Sequence, residues 1–283
     1  MTNAQQHLFC FGLGDSARRT ARLLSGLGWT AGGTVRGADK AARLAREGVD
    51  AQVFDGTGDI TPPPGAHWLI SIPPGEEGCP AFAAAGARAR TAASITYLST
   101  TGVYGDLAGG WAFEWSPVAP GTRRGRARVA AERQWSSAGV PVRLVRLPGI
   151  YGPGRSALDR VRDGTARRIV KPGHVFSRIH VGDIASGLAA LMARPDQAGV
   201  FHLCDDLPAP PQDVIAHACT LLGEPIPPDI PFDAAELSEM ARSFYSECKR
   251  VSNARIKARL GWRPAYPTYR EGLAAILAEE DKR

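Results

Sequence analysis

Three small residues in one turn carry the first chemical signal: Phe11-Gly12-Leu13-Gly14-Asp15-Ser16-Ala17 has the form GxGxxA. It follows an apolar, strand-like segment at 7–11 and precedes a helical pattern at 16–27, the context in which such a turn is informative. Gly12 permits the tight turn, Gly14 lets the backbone approach a diphosphate, and Ala17 is small enough for close helix–strand packing. Ser16 opens the helix, whose first amide groups and positive dipole end would face the anion. The chemistry so defined is dinucleotide binding. The end of the next strand selects between cofactors. An acidic residue there would take the ribose hydroxyls of NAD, but the sequence has Thr34-Val35-Arg36, with Lys40 close behind. Arg36 suits a 2′-phosphate, so NADP is expected in preference to NAD. Asp55, closing the third strand, either accepts a hydrogen bond from the adenine amino group or caps a turn.

These residues need a scaffold of alternating strands and helices, and the first half of the chain supplies one. Apolar runs at 7–11, 30–36, 50–54, 67–72, 94–99 and 142–147 read as strands. Helical patterns at 16–27, 39–47, 79–89 and 126–137 lie between them. Strand–helix alternation at this spacing implies βαβ units and a parallel sheet covered on both faces. After Pro148 the rhythm changes: helices are predicted at 157–162, 182–192, 211–222, 234–243, 253–260 and 269–278, with short strands at 176–179 and 200–203. The fold class expected is therefore α/β, a Rossmann doubly wound parallel sheet followed by a smaller, mostly helical C-terminal lobe. Residues 1–150 form the nucleotide-binding domain and 151–283 the substrate lobe, with segments around 176–203 returning to the sheet.

Composition narrows the class. The 283 residues are 44% hydrophobic and 22% charged, values for a globular core rather than a disordered chain. No apolar run approaches the ~18–20 residues a membrane span needs. The segment Met1-Thr2-Asn3-Ala4-Gln5-Gln6 has neither the charged start nor the apolar stretch of a signal peptide, so a cytoplasmic location is expected. Five scattered cysteines, without a CxxC pair or Cys/His cluster, argue for reduced thiols and no metal site. The net charge of +6 does not gather into one tail, and no nucleic-acid partner is expected.

Four further stretches, taken in order, resemble the extended short-chain dehydrogenase/reductases, the NAD-dependent epimerase/dehydratase family, and an atypical bacterial branch of it. Ser99-Thr100-Thr101-Gly102-Val103-Tyr104-Gly105 is similar to the family's segment ending in VYG. Arg146-Leu147-Pro148-Gly149-Ile150-Tyr151-Gly152-Pro153-Gly154 is similar to its YGPG stretch, and Arg178-Ile179-His180-Val181-Gly182-Asp183 to its IHVxD segment. Leu260-Gly261-Trp262-Arg263-Pro264 resembles its tail. The resemblance implies an NAD(P)-dependent oxidoreductase, epimerase or dehydratase acting on a hydroxyl or carbonyl of a small molecule, including sugar nucleotides, and a homodimer. It adds Ser71, ending the fourth strand, and Pro148 to the cofactor-binding set, and it places Thr100 against a substrate oxygen.

One departure reaches the chemistry. The family's Tyr-x-x-x-Lys pair falls on Arg124 and Arg128 here. Arginine stays protonated and cannot serve as the acid or base that tyrosine is, although it can stabilise a developing oxyanion. Arg128 retains a donor and a charge for the ribose contact. Tyr104, Tyr151 and His180 are the other proton carriers the resemblance brings near the cleft, and Trp111, Trp115 and Tyr151 are candidates for an apolar wall. Glu132, four residues after Arg128, reads as its surface or capping partner. Two functions are consistent with these residues: an NADP-dependent enzyme with Thr100, Arg124, Arg128 and Tyr104 at its catalytic end, or a non-catalytic NADP(H) sensor.

Overall fold

The computed structural model describes residues 5–76, 78–280 and 282; residues 1–4, read above for a leader, lie outside them. Period-two alternation organises the centre. In β1 (His7–Phe11), Leu8 and Cys10 join an apolar cluster on one face, while Phe9 and Phe11 join a second cluster on the other. A strand apolar on both sides must be covered twice, and the following elements do this. α1 (Asp15–Ser25) and α2 (Ala38–Arg46) alternate with β2 (Thr30–Val35) and β3 (Asp50–Val53). β4 (His67–Ile70), α3 (Pro80–Ala85) and β5 (Ser94–Thr100) continue the pattern.

A two-residue strand, β6 (Trp111–Ala112), precedes α4 (Arg123–Ser136) and β7 (Val142–Leu147). The C-terminal part begins with β8 (Gly149–Tyr151), α5 (Ala157–Arg162), β9 (Arg168–Val170), β10 (Arg178–His180) and α6 (Val181–Met192). It continues through β11 (Gly199–His202), α7 (Pro211–Leu222), β12 (Asp229–Pro231) and α8 (Glu239–Tyr245). β13 (Arg250–Val251), α9 (Ala254–Leu260) and α10 (Tyr269–Glu280) complete it.

Seven strands form one parallel sheet in the order β11-β7-β5-β4-β1-β2-β3. Leu24 of α1, Leu44 of α2 and Leu188 of α6 cover one face; Ala81 of α3 and Trp135 of α4 cover the other. This is the doubly wound Rossmann architecture the sequence predicts. The chain runs outward from β1 to β3, then crosses to β4 and runs the other way. The order therefore reverses between β1 and β4, and a crevice opens at the carboxyl ends of those strands, where ligands of such sheets bind.

Segment 200–203 does reach the sheet, as its edge strand β11 beside β7. The strand predicted at 176–179 does not: it lies at Arg178–His180 and pairs with β8 in a separate two-stranded sheet. The helix predicted at 234–243 begins later, at Glu239, where the Ser238 hydroxyl accepts a hydrogen bond from the Ala241 amide and caps it. The helix predicted at 79–89 changes to 3₁₀ geometry at Gly86. Around β8–β10 and β9–β12, α5, α7 and α10 share a third apolar cluster containing Leu158, Ala218 and Leu273. Among the described residues, no helix is long and apolar enough to cross a membrane.

Four histidines lie inside this fold. His67, His174, His180 and His202 are buried, and burial pulls each down to about 4. Above the ordinary histidine value they are neutral whether folded or unfolded. As pH falls from about 6.5 to 4 the unfolded chain takes up protons first, so stability is lost across that window. Urea titrations of His67→Gln should show a loss of unfolding free energy between pH 7 and 4.5 that is smaller than the parent's by about 1–3 kcal/mol. An identical pH dependence in variant and parent would contradict this.

Candidate active site

The crevice is built from four strand ends. After β1, Gly12 turns at φ +93°, and a side chain there would strike Ile72 at 2.7 Å. The turn is fixed by its neighbours: the Gly12 amide donates to Thr34 Oγ1 at 2.9 Å, the Leu13 amide to the Thr34 carbonyl at 2.7 Å, and Ser71 Oγ to the Gly12 carbonyl at 2.6 Å. Lys40 Nζ donates to the Leu13 carbonyl at 2.9 Å. Gly14 differs from Gly12. Its backbone is extended, at φ −78° and ψ −173°, and a Cβ added there would meet nothing within 4 Å. It caps the eleven-residue helix α1 without a side-chain bond, so the first amides of that helix face open space.

Gly14, Ser16, Ala17, Ser71, Thr100, Arg124, Arg128 and Pro148 line one open cleft of about 1630 Å³, as does Tyr151. That volume exceeds the ~300–1,000 Å³ of a pocket for one small ligand, leaving room for two ligands side by side. Arg124 is exposed at the start of α4. One turn on, Arg128 Nη1 donates to the Leu98 carbonyl at 2.6 Å and to the Tyr97 hydroxyl at 3.2 Å, which holds the guanidinium beside the end of β5. Thr100 Oγ1 accepts from the Gly102 amide at 3.2 Å, and its own proton remains available to a ligand.

Four predicted site residues lie outside the cleft lining. Gly12 is tucked under the turn it makes. Arg36 is exposed at the end of β2. Asp55 accepts from the Thr57 amide at 3.0 Å and the Thr57 hydroxyl at 2.8 Å, the turn-capping alternative, and these bonds hold its carboxyl below the usual range. Tyr104 is the clear correction: it is fully buried. Its hydroxyl accepts from Arg146 Nη1 at 2.7 Å and pairs with His202 Nε2 at 2.6 Å. His202 Nδ1 faces the Ser252 carbonyl at 2.8 Å, so Nε2 is the acceptor for the tyrosine proton. Burial pushes the Tyr104 phenol up to about 12.

Glu132 is the second correction. It is neither on the surface nor paired with Arg128. It binds Arg146 twice, Nε to Oε1 at 2.9 Å and Nη2 to Oε2 at 2.7 Å, and accepts from Ser99 Oγ at 2.6 Å. Both charged side chains are only 6% exposed. Tyr151 lines the cleft with its ring, but its hydroxyl turns toward the Thr268 carbonyl and lies so near Gly272 that any side chain there would collide. His180 is buried between Tyr151 and Tyr266, with Nδ1 accepting from the Gly182 amide. Trp111 and Trp115 are 50% and 73% exposed and line no part of the cleft.

A dinucleotide turn at the reversal of a doubly wound parallel sheet, with an open cleft bordered by C-terminal elements, defines the extended short-chain dehydrogenase/reductase fold, here in an atypical form without the tyrosine–lysine pair. The chain belongs to the same family as a functionally unknown conserved protein of Silicibacter pomeroyi, which it matches at 48% identity over 97% of this chain and 99% of that one, with a TM-score of 0.91. A provisionally assigned NAD-dependent epimerase/dehydratase from Methylobacillus flagellatus has the same fold, with a TM-score of 0.73 and 24% identity over 98% and 99% of the two chains. A 3-diazoavenalumate denitrifying reductase from a Streptomyces species is 31% identical over 159 residues, 52% of this chain. The matched part spans about half the length of that reductase. No protein-family model matches the chain.

Proposed function

We propose that this chain is an NADP(H)-dependent oxidoreductase of the short-chain dehydrogenase/reductase type, acting on a hydroxyl or carbonyl group. The observation that carries the reading is Gly14: a side chain there would meet no protein atom, and it stands at the amide end of α1 where the sheet order reverses. The residues fit a nicotinamide dinucleotide. Gly14, Ser16 and the first amides of α1 would hold its diphosphate, Arg36 with Lys40 its 2′-phosphate, and Arg128 its nicotinamide ribose. When bound, such a nucleotide supplies or accepts a hydride. Residues 1–150 bind nucleotide in this reading, and residues 151–283 shape the substrate end.

The protein's own contribution at the substrate oxygen is electrostatic. Thr100 donates a hydrogen bond, and Arg124 stands as a fixed positive charge against developing negative charge. Arg124 supplies donors and a charge at this point, and an arginine side chain has no acceptor with which to take up a proton. The proton exchanged at that oxygen comes from water in the open cleft. Replacing Arg36 by Ala should weaken NADPH binding about 10–100-fold, the loss of one charge-assisted contact, and leave NADH affinity unchanged in calorimetric titration. Equal losses for both nucleotides would remove Arg36 from the 2′-phosphate.

A second reading, a dinucleotide-binding sensor without turnover, is favoured by one observation: Tyr104 and Tyr151 commit their hydroxyl protons to acceptors inside the protein. NADPH consumption measured over a panel of aldehydes and ketones separates the two. Turnover that falls at least about tenfold in Thr100→Val supports the enzyme. Tight NADPH binding with no turnover across the panel supports the sensor.

A further inference from the structure

The lobe side of the cleft holds one arginine in an unusual setting. Arg178 of β10 lines the cleft and is half-buried. Its Nη1 donates to the Phe176 carbonyl at 2.8 Å and to the Ala209 carbonyl at 2.9 Å, which uses that nitrogen's two protons and clamps the guanidinium plane. Nε and Nη2, the edge that grips a planar carboxylate with two parallel bonds, have no partner among the described residues. The carboxyl that acts on it electrostatically belongs to Asp205, which is buried with both oxygens unpartnered by any side chain. Burial pushes that carboxyl up, while the Arg178 charge pulls it back down.

Around the guanidinium the wall is aromatic. Phe176 lies 6.0 Å from it as a cation–π partner. Tyr245 packs its ring against Phe176 at 5.5 Å and stacks on His174 at 5.2 Å, and its hydroxyl has no partner among the described residues. Tyr269, Leu237 and the exposed Phe244 extend the same lining. Of the acidic groups that line the cleft, Glu247 pairs with Lys249 at 2.6 Å and Asp159 closes the capping box of α5.

We infer that the substrate is an organic carboxylic acid, its carboxylate held edge-on by Arg178 with the Tyr245 hydroxyl beside it and its apolar body against Phe176, Leu237 and Phe244. This rests on the cleft being the substrate site of the function proposed above. An incoming carboxylate would meet a guanidinium whose orientation is already fixed by two carbonyls, so little ordering is left to oppose the two parallel bonds.

Benzoate serves as the probe and benzyl alcohol as its neutral control, with binding measured on the full chain by ligand-observed NMR. Benzoate should bind at least about tenfold tighter than benzyl alcohol, and Arg178→Gln should remove that difference. Because Arg178 also ties two carbonyls, Arg178→Gln is accompanied by Tyr245→Phe, which keeps the stacked ring and should weaken benzoate several-fold. Equal binding of the two probes, or benzoate affinity unchanged in the folded variants, overturns the inference. A parallel NADPH titration separates the two claims. Loss of benzoate with NADPH affinity intact supports the carboxylate site, and benzoate binding that depends on Arg178 without any NADPH binding overturns the nucleotide reading alone.

Discussion

Glu132→Ala is expected to lower the unfolding free energy by about 3–5 kcal/mol, the cost of leaving a buried charge without its partner. Glu132 sits on the inner face of α4 and carries two bonds from Arg146 and one from Ser99. Arg146 also donates to Tyr104, whose hydroxyl is shared with His202 at the sheet edge. Removing the carboxylate leaves the guanidinium, only 6% exposed, between β5, β7 and α4 without its ion-pair partner. Glu132→Gln keeps the shape and one acceptor and should cost less than Glu132→Ala. The ordering matters as much as the size: urea titrations showing the two variants equally stable, or Glu132→Ala within about 0.5 kcal/mol of the parent, would place this pair among surface charges. The function follows from the same bonds. Ser99 and Thr100 end β5 at the cleft, so the network beneath them fixes where Thr100 points.

Gly14→Val should leave folding untouched and reduce NADPH affinity at least about 100-fold. The backbone at Gly14 is extended and suits any residue, and its Cβ would meet no protein atom. Whatever a valine excludes there is therefore a ligand. Gly12 offers no such test, because its φ of +93° and the nearness of Ile72 would disturb the turn itself. Thermal unfolding of Gly14→Val is expected to match the parent in the absence of nucleotide, while the stabilisation by NADPH disappears. Unchanged nucleotide affinity would mean that the open space at α1 is not where the diphosphate lies.

Local patterns made much of the frame legible. β1 and β7 stand at the apolar runs read as strands, and the glycine turn follows β1 as its spacing requires. What escaped is long-range. Val142-Arg143-Leu144-Val145-Arg146-Leu147 reads as a strand, but nothing local says that both arginines are buried, Arg143 among the Gln197 and Arg194 carbonyls and Arg146 on Glu132. The i,i+4 spacing of Arg128 and Glu132 suggests a surface pair, yet the two point to different neighbours once α4 packs on the sheet. The motif of Tyr104 ends beside the cleft, but its side chain turns into the core. Its partner His202 lies 98 residues away on the edge strand, and only the sheet order brings them together. Arg178 was visible as the first residue of an IHVxD-like segment, while the carbonyls that orient it come from either side of a bridge between Phe176 and Ala209.

Nucleotide binding here requires a diphosphate at the amino end of α1 and a guanidinium near its adenosine phosphate. Calorimetric titration of the unmodified chain with NADPH and then NADH tests this directly. A dissociation constant for NADPH on the order of micromolar, with NADH at least about tenfold weaker, is the predicted result. Heat from neither nucleotide at concentrations of about 1 mM would contradict it.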